Sequence, residues 1–166
     1  MSTNENELRF VSSTPLVATD YTWMQLALAM AARAGARAEV PVGAVLVRAG
    51  QLLGCAGNCQ RASFDPTGHA EIQVLRQASL SQGNYRLVGS ELFVSLEPCV
   101  MCLGAIMHAR VERIVFAATE PRAGALVSRN CLSHAWFNHT IKISGGCLAD
   151  SSRQLLQAFF KARRVK

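Results

Sequence analysis

The chain has 166 residues, half of them hydrophobic and 17% charged, with a formal net charge of +6. That composition excludes a disordered chain and supplies one domain with ample core, so no disulfide staples are required. No apolar run reaches the roughly 18 residues of a bilayer span, and residues 1–20 lack the basic start and apolar centre of a signal peptide. The expectation is a soluble, cytoplasmic protein with no membrane partner.

Residues 1–19 have weak periodicity and contain Ser12-Ser13-Thr14-Pro15, so a flexible arm is expected ahead of one domain spanning residues 20–166. Residues 21–35, rich in Ala, Leu and Met, read as a helix with Asp20 or Thr22 as N-cap and Gly35 as its stop. Residues 40–47 are apolar and β-branched, Ala49-Gly50 makes a turn, and residues 51–56 return, which predicts a hairpin. Residues 58–68 are polar and carry Asp65-Pro66-Thr67-Gly68, a loop. Helical spacing resumes over residues 69–78, with Ile72, Leu75 and Ala78 on one side.

Residues 91–96 read as a strand, residues 99–109 as a buried helix of small and apolar residues, and residues 113–118 as a further strand. Residues 120–139 are irregular, residues 141–144 suggest a strand broken by Gly145-Gly146, and residues 148–164 form a last helix. That helix ends among Lys161, Arg163, Arg164 and Lys166, either a solvated helix end or a nucleic-acid contact. Alternating helices and strands after a hairpin predict a mixed sheet covered on both faces by helices.

Two short groups carry the chemistry: His69-Ala70-Glu71, and Pro98-Cys99-Val100-Met101-Cys102, each opening a predicted helix. Cys99 and Cys102 are three apart, so one helical turn presents both thiols to the same side. The unpaired N–H groups of a helix start favour thiolate, the form that binds metal. With His69 they make the nitrogen and sulfur set of a zinc site whose fourth position is left to water. Glu71 lies near the ligand without pointing along it, placed to move a proton. A closed structural site would need a fourth ligand, and Cys55, Cys59, Cys131, His134, His139 and Cys147 are available for one. Structural zinc pairs usually repeat at both ends of a short knuckle, however, and these do not. Cys131, His134 and His139 could form a second metal site, His108 reads as a core or interface histidine, and Trp136 and Phe137 as core or base-stacking residues.

His-x-Glu followed by Pro-Cys-x-x-Cys is the signature of the zinc deaminases. The chain also resembles, more closely, the bacterial-type tRNA-specific adenosine deaminases. The segments that carry this are Val40-Pro41-Val42-Gly43-Ala44-Val45, Asn58, Asp65-Pro66-Thr67-Gly68-His69-Ala70-Glu71-Ile72, Asn84-Tyr85-Arg86-Leu87 and Leu96-Glu97-Pro98-Cys99-Val100-Met101-Cys102. The resemblance spans residues 21–164. It implies the cytidine deaminase-like fold, an α/β three-layer α/β/α sandwich with a mixed five-stranded sheet. It also implies a homodimer, one zinc ion per subunit, and hydrolytic conversion of adenosine to inosine at the wobble position of a tRNA anticodon. In that frame His69, Cys99 and Cys102 are the zinc ligands and Glu71 is the catalytic proton shuttle. Asn58 contacts the substrate, and the Ala70 backbone N–H meets the base. Glu120-Pro121-Arg122-Ala123-Gly124 replaces a tRNA-contacting loop of aspartate, lysine and glycine, and residues 133–139 lack the usual proline and second histidine.

Two other functions share these residues. A deaminase of a free base, nucleoside or nucleotide would have the same zinc set. A catalytically silent RNA-binding subunit would keep the fold and lose the shuttle, whereas Glu71 is intact.

Overall fold

The computed structural model describes residues 11–131 and 138–164. His134, Trp136, Phe137 and Lys166 lie outside the described residues, as does most of the segment 133–139 singled out above. The elements in chain order are β1 (Val11–Ser13), α1 (Ala18–Ala36), β2 (Gly43–Arg48), β3 (Gln51–Gly57), α2 (Gln60–Ser63), α3 (Ala70–Gln82), β4 (Ser90–Leu96), α4 (Val100–His108), β5 (Arg113–Ala118), β6 (Ile141–Gly145) and α5 (Ala149–Arg164).

The strands form one mixed sheet in the order β1-β6-β5-β4-β2-β3. β2 and β3 pair antiparallel through the two-residue turn at Ala49 and Gly50, whose φ angles of 51° and 74° match the twist of a hairpin. β2 also runs antiparallel to β4, whereas β4, β5 and β6 are mutually parallel. Five strands are therefore those expected, and a sixth is added at the edge. β1 pairs with β6 in parallel, Val11 opposite Ile141, and the Thr14 N–H donates to the Ile143 carbonyl at 2.9 Å. An edge strand presents unpaired backbone groups, and residues 11–13 of the expected arm satisfy those of β6. The α1 helix likewise begins at Ala18, inside the segment read as arm.

Alternation along the strands divides the core into two layers. Ala44, Leu46, Leu92, Val94, Ile114 and Phe116 face one side, where they meet Ile72, Leu75, Leu103 and Ile106 of α3 and α4. Val45, Val47, Phe93, Val115 and Ala117 face the other, against Met24 and Ala27 of α1, and α5 packs beside α1 on β4 and β5. This is the three-layer α/β/α sandwich. The α1 helix lies so close to β2 that a Cβ at Gly43 would sit 2.1 Å from the Ala27 carbonyl oxygen, so only glycine fits there.

One buried ion pair fastens the layers. The Asp20 carboxylate accepts from Arg113 Nη1 at 2.8 Å and Nη2 at 2.7 Å, and from the Val17 N–H at 2.9 Å. Arg113 also donates to Glu91 at 2.9 Å and to the Ser144 hydroxyl at 2.9 Å, so α1, β4, β5 and β6 share one guanidinium. Asp20 is thus not an N-cap; it accepts from the cap residue's N–H from inside the first turn. Burial raises the Asp20 pKa, but the Arg113 hydrogen bonds, the Val17 N–H and the guanidinium charge outweigh it and hold the carboxyl below its usual 3.8.

Removing one partner of such a pair strands the other, so Asp20→Ala should cost about 3 kcal/mol. A carboxylate with a depressed folded pKa stabilises above its unfolded pKa, and that contribution disappears as pH falls through the folded value. Urea unfolding across pH should show a gap between wild type and Asp20→Ala that is constant above 3.8 and closes below it.

Candidate metal centre and substrate pocket

His69 and Cys99 occupy equivalent places at the starts of two helices. His69 is the N-cap of α3 in extended backbone (φ −75°, ψ 150°), and Cys99 is the N-cap of α4 with φ −77° and ψ 172°. Cys102 lies one turn into α4 and is fully buried. The β4-α4-β5 unit brings Cys99 to the carboxyl end of β4, the usual place for a site in a parallel sheet. The loop before His69 is held by Asp65, which accepts from the Thr67 N–H at 2.8 Å and the Thr67 hydroxyl at 2.7 Å. The His69 N–H in turn donates to the Thr67 carbonyl at 2.7 Å.

His69 Nδ1 lies 3.8 Å from Cys99 Sγ and 3.5 Å from Cys102 Sγ, and the three atoms are all within 4.8 Å of one another. Zinc bonds of about 2.3 Å to sulfur and 2.0 Å to nitrogen, placed tetrahedrally, separate the two donors by roughly 3.5 Å. The arrangement therefore fits zinc in donor type and spacing. Among the described residues this is the one cluster of three or more His, Cys, Asp or Glu groups that could hold a metal ion. Of the other residues weighed as ligands, His139 Nε2 is hydrogen-bonded to the Val111 carbonyl at 2.7 Å, and Cys55, Cys59, Cys131 and Cys147 are in no disulfide. His108 is exposed.

The two thiols differ in character. A hydrogen bond from Cys102, joined by His69 and the Cys102 N–H, outweighs burial and brings the Cys99 pKa down to about 4. Cys102 is driven upward, first as the donor to Cys99 and then by burial. His69 is raised by its bond to Cys99 against the effect of burial, with Glu71 contributing. Metal binding requires loss of the remaining thiol proton, so zinc competes directly with it.

Glu71, in the first turn of α3, is 3% exposed, and burial lifts its pKa to about 6. It opens with His69 and Cys99 into a pocket of about 220 Å³ whose other walls include Asn58, Gln60, Glu97 and Glu120. Asn58 is buried, and its Oδ1 accepts from the Ala70 N–H at 2.9 Å, which satisfies an orphan donor at the start of α3. The Ala70 N–H, which the resemblance assigned to the base, is engaged by this bond.

Two buried carboxylates beside the pocket were given no role by the sequence reading. Glu39 accepts from the N–H groups of Arg61 at 3.2 Å and Ala62 at 2.8 Å, and so orders the short α2. Glu97 accepts from a segment beyond β5. The available signal was a charged residue inside an apolar run, since Glu97 falls between Leu96 and Pro98.

Residues 17–118 match the cytidine and deoxycytidylate deaminase zinc-binding region, and the chain belongs to that family. Within it, several relatives are tRNA-specific adenosine deaminases. The chain is 44% identical over 147 residues to the one from Haemophilus influenzae, covering 87% of this chain and 85% of the relative. It is 41% identical over 144 residues to the one from Agrobacterium fabrum, covering 86% and 95%. A solved structure described as a study of A-to-I editing by tRNA:A34 deaminases at the wobble position superposes with a TM-score of 0.80 at 41% identity, covering 81% of this chain and 99% of that one. A guanine deaminase from Bacillus subtilis superposes with a TM-score of 0.58 at 36% identity over 63% of this chain and 66% of its own.

Because Asn58 caps α3 from the neighbouring loop, Asn58→Ala should lower stability by about 1 kcal/mol. Thermal unfolding of the two proteins, compared at equal zinc content, measures it.

Proposed function

We propose that the protein converts adenosine to inosine at the wobble position of a tRNA anticodon. The observation that carries this reading is the juxtaposition of a nitrogen–sulfur–sulfur metal set with a buried carboxyl of raised pKa in one pocket, on a chain similar to tRNA-specific adenosine deaminases over most of its length. His69, Cys99 and Cys102 hold the zinc. Bound zinc supplies a water activated for attack near neutral pH.

Glu71 moves the proton. With a pKa near 6 it is a better base than an ordinary carboxylate, yet it is mostly ionised at neutral pH. It would take one proton from the attacking water and place it on N1, and then take the second proton of the same oxygen and place it on the C6 amine, so that the C6–N bond breaks as the C6 carbonyl forms. Oxygen is thereby joined to C6 and ammonia leaves. Asn58, its Oδ1 fixed by the Ala70 N–H, keeps its amide donors for an acceptor on the base. Ala70 contributes by orienting that amide. A base in an anticodon loop is already outside a duplex, so a small pocket can receive it at little unstacking cost.

Charge suits an anionic substrate. Lys161 and Arg164 are exposed at the end of α5, while Arg163 stacks 4.1 Å over the Phe159 ring and donates to the Ala38 carbonyl at 2.6 Å. Binding should weaken steeply as salt rises. No described helix is long and apolar enough to cross a membrane. Six free thiols and a tRNA substrate agree with the cytoplasm.

The working form is a homodimer on this reading. An apolar groove of about 680 Å³ runs between α3 and α4, with Ile72, Leu75, Leu80, Tyr85, Met101 and Ala105 along it. Leu80 and Tyr85 are largely exposed in the single chain. A second copy covers that surface beside the helices that carry the metal ligands. Light scattering should give twice the chain mass, and Leu80→Glu should shift the population toward monomer.

The direct test is inosine formation in an anticodon stem-loop RNA with adenosine at the wobble position. Wild type should carry one zinc per chain and make inosine. Glu71→Ala should keep its zinc and lose about 1000-fold or more in turnover, whereas Cys99→Ala should lose the zinc. Substantial activity in Glu71→Ala would remove the assigned shuttle. A zinc-loaded wild type that deaminates guanine and not RNA would favour the free-base reading.

A further inference from the structure

Glu97 stands between β4 and the Cys99 turn, and its N–H continues the sheet by donating to the Ala118 carbonyl at 2.8 Å. Its carboxylate is 3% exposed. The Oε1 atom accepts from the N–H groups of Leu126 at 3.0 Å, Val127 at 2.8 Å and Ser128 at 2.9 Å. The Oε2 atom accepts from the Glu120 N–H at 2.9 Å and from the Ser128 hydroxyl. All five donors belong to one segment, residues 120–128, and none is a charged side chain. That segment has no helix or strand of its own, so its N–H groups have no ladder to join, and a buried anion takes their place.

Sterics tie the same segment to the metal turn. Gly124 forms a bridge with Cys99, and the Ala125 N–H donates to the Pro98 carbonyl at 2.8 Å. A Cβ on Gly124 would lie 2.3 Å from the Glu97 carboxyl carbon and 2.6 Å from the Glu120 carbonyl oxygen. The segment closes on the carboxylate with no spare volume. Glu120 and Ala123 from it line the pocket that also holds His69 and Glu71.

We infer that Glu97 is a positioning residue that fixes the 120–128 segment as a wall of the substrate pocket, and so sets how tightly the nucleotide is held. The inference rests on the tRNA reading above. The metal set and Glu71 are carried by α3 and α4, so loss of the Glu97 cradle should act on substrate binding and leave the chemical step in place. Glu97→Gln keeps the volume but turns an acceptor into an NH₂ group facing the Glu120 N–H and the Ser128 hydroxyl. Gly124→Ala keeps the carboxylate and displaces the segment from it by overlap.

The experiment combines amide hydrogen exchange with steady-state kinetics on the anticodon stem-loop, using the zinc-loaded full chain. In wild type the amides of Leu126, Val127 and Ser128 should be protected. In Glu97→Gln and in Gly124→Ala they should exchange faster, KM should rise by about tenfold or more, and kcat should stay within about threefold, the pattern of lost uniform binding. Zinc should remain at one per chain. The double variant should be little worse than either single one, because both release the same segment. The inference is overturned if KM is unchanged in a working enzyme, if kcat falls with KM held, or if Glu97→Gln loses zinc. Absence of inosine from wild type would overturn the substrate reading, and this inference with it. Should Glu97→Gln fail to fold, Gly124→Ala alone decides by the same criteria.

Discussion

The structure depends on bringing two helix N-termini together. His69 and Cys99 cap helices that begin 30 residues apart in sequence, yet their ligand atoms are 3.8 Å apart. Several features serve that approach. The parallel β4-α4-β5 unit delivers Cys99 at the end of β4. The Asp65 turn and the Asn58 cap deliver His69 at the start of α3. Two like helix-end dipoles facing each other repel, and an arrangement of thiolate and carboxylate between them offsets that repulsion. The low pKa of the Cys99 thiol has its largest cause in the Cys102 hydrogen bond, which the first turn of α4 provides.

The buried carboxylates show how one fold assigns different tasks to one functional group. Asp20 and Glu97 are each penalised by burial, and each is nonetheless held below the ordinary carboxylate range. Asp20 has a bidentate guanidinium, and Glu97 has hydroxyl and backbone donors. Neither is suited to carry a proton near neutral pH. For Glu71 burial is the largest influence and the opposing ones do not overcome it, so its pKa moves up instead. The carboxyl with the least compensation is the one beside the metal set. Environment, rather than residue type, separates the carboxyls held below the ordinary range from the one raised above it.

Most of the framework was legible in the sequence because its elements follow local periods. The hairpin around Ala49-Gly50, the α3 and α4 starts and the alternating strands β4 and β5 are read from residues close together in the chain. The cluster that could hold a metal was legible for the same reason, since His69 and the Cys99 and Cys102 pair each lie in a compact group. What was missed depends on distant partners. Residues 11–13 have no strand signal of their own and become β1 only because β6 leaves an edge open. Asp20 reads locally as a cap, but its dominant partner is Arg113, in another layer. Gly43 looks like any strand glycine until α1 is laid against it. Glu97 lies within a quoted motif, yet its donors come from residues 120–128, a segment with no periodicity to mark it.

Such a site changes more readily in its walls than at its metal-binding cluster. The metal ligands and Glu71 stand on helix starts whose backbone groups are committed to the helices and whose distances zinc tolerates within a few tenths of an ångström. The pocket walls come from loops anchored by single carboxylates: Glu39 for the Asn58 side and Glu97 for the Glu120 side. A substitution in a wall residue such as Ala123 alters what fits without moving a ligand atom. A substitution in an anchor such as Glu97 moves a whole wall at once. Substrate choice on this scaffold can therefore shift through its loops while the chemistry beneath them stays the same, which is why the ligand motif alone identifies the reaction more readily than the substrate.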